Sequence, residues 1–94
     1  MTGKSYIDEK LNTCSFVRIF KCDILNEELV WHRDKKDRFI EVLEGIGWEF
    51  QFENKLPKEL YKGDRLFIPA RTFHRIKRGT TDLKLKIEEF DGIP

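Results

Sequence analysis

His32 and His74 are the only two imidazoles in the chain, and Asp34 stands two residues after the first. Two imidazoles and a carboxylate are the donor set of a facial metal triad, which leaves coordination positions open for a substrate or dioxygen. Side chains two apart on an extended segment share a face, so His32 and Asp34 point the same way if residues 29–34 are extended. A lone histidine is more often a hydrogen-bonded structural residue. The parity with Asp34 shifts the balance toward the triad, provided another segment delivers His74.

The segments that must do so have a β pattern. Residues 16–22 are rich in β-branched and aromatic side chains, and 23–28 interrupt them with turn-prone polar residues. Strands are predicted at 29–33, 38–44, 48–53, 58–61, 66–68, 72–77 and 82–88. The stretch Trp48-Glu49-Phe50-Gln51-Phe52-Glu53 alternates aromatic and polar residues throughout, so one face is buried and the other wet. Eight short strands with turn signals between them predict an antiparallel sandwich or barrel. Residues 1–14 read as an N-terminal arm, or as a short helical turn around Tyr6 to Leu11, and residues 15–94 as the barrel domain.

Length and composition bound the rest. Ninety-four residues make one domain, near the lower size at which a core suffices without metal or disulfides. A net charge of +1 with 37% charged residues predicts a balanced, wet surface and no nucleic-acid partner. No apolar run approaches membrane-spanning length, and the first ten residues lack a secretory core. Cys14 and Cys22 are too far apart to pair along one straight strand and form no CxxC or zinc spacing. Both are expected to be reduced, and the protein to be cytoplasmic.

The sequence resembles the cupin family of small double-stranded β-helix, or jelly-roll, barrels over most of its length. Val42-Leu43-Glu44-Gly45, Leu60-Tyr61-Lys62-Gly63-Asp64-Arg65-Leu66-Phe67-Ile68-Pro69-Ala70, and His74 four residues later carry the resemblance. In the family the first motif supplies HxH and then a Glu, and the second supplies a third His. By that correspondence His32, Asp34 and His74 are implied as ligands of a divalent metal (Fe, Mn, Ni or Zn), and Arg38 stands where the Glu would be. A carboxylate can replace a histidine on a metal; a guanidinium cannot ligate a cation.

Two readings follow. In the first, His32, Asp34 and His74 bind the metal, with Asp37 as a spare carboxylate. Arg38 takes an anionic group of the substrate, and the chemistry is that of a dioxygenase or isomerase. In the second, the barrel is a metal-free binding or structural protein in which Arg38 pairs with Asp34 and the histidines act as hydrogen-bonding or acid–base groups. No organic cofactor is expected in either.

Parity points Val30, His32 and Asp34 inward, with Arg38, Ile40, Val42, Trp48, Phe50, Phe52, His74, Ile76, Leu83, Leu85 and Ile87. Arg38, Trp48 and Phe50 are therefore expected to touch a small-molecule ligand. Trp31, Phe39 and Phe73 face the other way, as an apolar patch suited to a homodimer contact.

Overall fold

The structure, a computed structural model, describes residues 6–91. Among the described residues, eight antiparallel strands run in chain order: β1 (Ile7–Lys10), β2 (Ser15–Phe20), β3 (Asp37–Glu44), β4 (Glu49–Phe52), β5 (Lys58–Glu59), β6 (Arg65–Ile68), β7 (His74–Lys77) and β8 (Leu83–Phe90). They form a five-stranded sheet in the order β1-β2-β8-β3-β6 and a three-stranded sheet in the order β5-β4-β7. Non-sequential neighbours such as β2-β8 and β3-β8 mark a jelly-roll barrel, in which strands from distant parts of the chain close one core.

Period-2 alternation builds that core. Ile40 and Val42 of β3, Leu83, Leu85 and Ile87 of β8, and Ile68 of β6 are buried on one sheet, and Trp48 and Phe50 meet them from the other. The intervening Phe39, Glu41 and Glu88 face outward or are partly exposed. Gly79, between β7 and β8, lies so close to Ile46 and Trp48 that a Cβ there would collide with their backbone atoms.

Two predicted elements differ. Residues 7–10 form no helical turn; they pair with β2, Ile7 opposite Ile19 and Lys10 opposite Phe16, as the edge strand of the larger sheet. Residues 29–33 are not a strand. A 3-10 turn at Asn26–Glu28 precedes them, and only His32 bridges, to His74. The strand count of eight thus arises from a different set of segments.

Candidate metal and ligand site

His74 opens β7 and is buried, with Phe50 stacked 5.6 Å from its ring. Opposite it lies the loop carrying His32 and Asp34, laced down by backbone bonds rather than by a ladder. The His32 N–H donates to the His74 carbonyl at 3.0 Å, the His74 N–H donates back at 2.9 Å, and the Arg71 N–H donates to the Asp34 carbonyl at 2.7 Å. One bridge and one turn contact therefore suffice to bring a loop and a strand, distant in the chain, to one place. The rings of His32 and His74 meet edge to face at 4.3 Å.

Both imidazoles are oriented the same way. Nδ1 of His32 lies 3.1 Å from the Val30 carbonyl, and Nδ1 of His74 lies 2.8 Å from the Thr72 carbonyl. A carbonyl oxygen only accepts, so each neutral ring carries its proton on Nδ1 and keeps a free lone pair on Nε2. Metal-binding histidines are held in this manner. Nε2 of His74 lies 3.4 Å from Asp34 Oδ2, and that oxygen is buried without a hydrogen-bond partner. One ligand atom from each of His32, Asp34 and His74 falls within a 4.8 Å span. Bonds of 2.0–2.2 Å to a shared ion put neighbouring ligand atoms about 3 Å apart, close to the His74–Asp34 separation already present. A buried carboxylate oxygen that accepts no hydrogen bond, beside two imidazoles whose Nε2 lone pairs are free, fits a divalent cation.

Charge states agree with ligation. Partial burial, which disfavours imidazolium, is the largest influence on His32, although part of its surface stays exposed, and lowers its pKa. The bond to Val30 and the charge of Asp34 oppose the shift, while His74 and Arg38 add to it. Burial pushes Asp34 upward, but the contact with His74 and the charges of Arg38 and His32 outweigh it and hold the carboxyl below its ordinary value.

Arg38, at the start of β3, faces this group. Its Nη1 lies 3.4 Å from the same Asp34 oxygen. Nε and Nη2 are taken by Glu89 Oε2 at 2.8 Å and 2.6 Å. Glu89 is the residue directly opposite Arg38 on β8, and sequence reasoning overlooked it, although 89 continues the inward series 83, 85, 87. Asp37 is no spare ligand: its Oδ1 accepts the Ala70 N–H at 2.7 Å, which fixes the β6–β7 turn.

The group borders a cavity of about 280 Å³, at the small end of ligand pockets. Arg38, Phe50, Ile40, Ile76, Leu85 and Ile87 are among its walls, as parity predicted. Trp48 is not. It is completely buried, and its Nε1 donates to the Thr81 carbonyl at 2.7 Å, so its indole closes the core rather than facing a ligand. The inward series of Trp48 and Phe50 divides between core and cavity, a division that alternation alone does not encode. Arg18, Tyr6 and Glu28 also line the cavity. Arg18 lies between Phe16 and Phe20 on the inward face of β2, so the same alternation could have found it.

Neither a family model nor a curated protein matches the sequence. Solved structures do match in shape. A candidate mannose-6-phosphate isomerase from Ralstonia eutropha JMP134 superposes with a TM-score of 0.67 at 17% identity, over 93% of this chain and 83% of that one. HppE with Co(II) gives 0.72 at 22% identity, over 96% of this chain and 56% of that one. HppE with Fe(II) gives 0.63 at 25% identity, over 81% and 41%. The chain thus spans about half of HppE. Two antiparallel sheets closed around one core, shared with these cupin-fold proteins, identify the fold as a small cupin-type jelly roll.

Proposed function

We propose that His32, Asp34 and His74 hold a divalent metal at the mouth of the cavity, and that the protein acts on a small molecule bound beside it. The observation that carries this reading is the buried Asp34 Oδ2, which accepts no hydrogen bond, beside two imidazoles whose Nδ1 atoms are tied to backbone carbonyls. The Fe(II) and Co(II) of HppE, a fold neighbour, support those ions as the first to test, with Mn, Ni and Zn next. When bound, such an ion supplies Lewis acidity or, if redox-active, oxygen chemistry. The protein's own part is to turn both Nε2 atoms inward, to keep Asp34 ionised, and to exclude water with Phe50 and the aliphatic walls. Arg38 lies beside the site, adding positive charge next to Asp34.

A metal-free reading has one observation in its favour: Arg38 and His74 both approach Asp34 Oδ2 at 3.4 Å, so the carboxylate has cationic or polar neighbours without an ion. Elemental analysis of protein purified without a chelating tag separates the two. Near-stoichiometric metal is expected in the parent, with loss of most of it in His32→Ala and His74→Ala at unchanged far-UV circular dichroism. Equal metal in parent and both variants, or none after reconstitution, would overturn the metal reading.

Free, exposed Cys14 and Cys22 support a reducing compartment, the cytoplasm. Among the described residues no helix is long and apolar enough to cross a membrane.

A further inference from the structure

We infer that the cavity binds a small, mainly apolar carboxylate, and that Arg18 rather than Arg38 receives its anionic end. The inference rests on the reading above only in taking the cavity as the ligand's place; it does not require the metal.

Two guanidiniums line the cavity, and their partners distinguish them. Arg38 lies between two carboxylates: Nε and Nη2 on Glu89, and Nη1 3.4 Å from Asp34. Its surroundings carry one negative charge more than it neutralises, which repels a ligand anion. Arg18 has a single carboxylate. Asp8 Oδ1 accepts from Nε at 2.8 Å and Oδ2 from Nη2 at 3.0 Å, leaving Nη1 without a protein acceptor among the described residues. The guanidinium is held in place, 3.7 Å from the Tyr6 ring centroid and 5.1 Å from that of Phe16. A pre-oriented guanidinium with a spare donor suits a carboxylate.

Its position argues against a purely structural role. A pair that only fastened β1 to β2 would lie as well on the outer face, where a charge keeps its water. Arg18 is instead on the inward face, its side chain 12% exposed, where desolvation is costly. Glu28, the remaining charged lining residue, has Oε2 within 3.3 Å of the Leu25 N–H.

The walls define the rest of the ligand. Phe20, Leu29, Leu60, Leu66 and Ile68 join the aliphatic and aromatic residues already named. A sugar enclosed there would leave hydroxyls unpartnered, whereas a hydrocarbon body would not. Along β8, Arg18 (opposite Leu85) and Arg38 (opposite Glu89) are four residues apart, and their guanidiniums lie 5.1 Å and 6.0 Å from the Phe16 ring centroid, so the two are within about 11 Å of each other. A carboxylate at Arg18 therefore directs the other end of a short chain toward His32, Asp34 and His74.

The test is a ¹H–¹⁵N NMR titration of the metal-free protein with hexanoate, hexan-1-ol and hexylamine. Hexanoate is expected to bind at least about tenfold more tightly than either, the worth of one charge-assisted hydrogen bond. Arg18→Met should abolish that preference, Arg18→Lys should retain part of it, and Arg38→Met combined with Glu89→Gln, which removes one charge of each sign, should leave it. His74→Ala, which disables the candidate metal site, should also leave it, so that loss of metal and loss of acid binding are separate results. A hexylamine preference, equal binding of acid and alcohol, or an acid preference that survives Arg18→Met or disappears in the charge-balanced Arg38→Met/Glu89→Gln variant would overturn the inference.

Discussion

At the scale of single residues, the site depends on two side chains whose protonation is set by their surroundings. The folded protein holds His32 below its ordinary value of about 6.5, chiefly through burial. As pH falls through that value the unfolded chain takes up a proton that the folded one resists, so stability declines. Asp34 is also held low, by His74 and Arg38 against the opposing effect of burial. The stability it contributes is present above its ordinary value and lost as pH falls through the lowered one. Both groups therefore act in the same direction. Thermal midpoints of the metal-free protein should fall between pH 8 and 5, and less steeply in His32→Ala; identical slopes in parent and variant would show that His32 is not the cause. His32 and His74 were recognisable as a pair from residue type, but Glu89 and Asp8, which decide what the two arginines can bind, were not. A salt-bridge partner is chosen by strand register, and register is a tertiary property.

At the scale of elements, close packing between turns matters more than turn composition. Gly79 has Ile46 and Trp48 where a side chain would begin, and the Thr80 N–H donates to the Ile46 carbonyl at 2.9 Å. Gly79→Ala must push these two turns apart and strain the seat of the completely buried Trp48. A loss of about 1–3 kcal/mol is expected, read as a lower urea midpoint with an unchanged slope. An unaltered midpoint would mean that the turns yield freely. The edge strand β1 shows the limit of pattern reading at this scale. Ile7-Asp8-Glu9-Lys10 has one apolar residue and is exposed throughout, so it carries no alternation to read. It is a strand because β2 offers it an open edge.

At the scale of the whole molecule, the outer face of the larger sheet is the surface best suited to a second copy. Phe39 and Phe67, 51% and 43% exposed, pack at 5.0 Å, with Phe90 5.5 Å from Phe39. Glu41, Glu88, Arg65 and Lys86 surround them, a mixture of signs that a two-fold arrangement can match to itself. The patch expected from Trp31, Phe39 and Phe73 is divided. Trp31 lies under Arg75 at 4.6 Å and Phe73 near Arg33 at 5.1 Å, while Phe39 joins Phe67 and Phe90. If this face forms a homodimer, Phe39→Glu should shift sedimentation equilibrium to the monomer mass; a monomeric parent at the same concentration would remove the dimer.

Residue types and their alternation determined the all-β class and most strand positions, because a period of two residues records which face of a strand is buried. Only the tertiary structure decided that 29–33 is a bridged loop, that Trp48 belongs to the core and not to the cavity, and that Arg38 is already occupied by Glu89 while Nη1 of Arg18 meets no protein acceptor among the described residues. Those outcomes depend on which strands are neighbours and in what register. In a jelly roll the neighbours come from distant parts of the chain, where local pattern holds no record of the pairing.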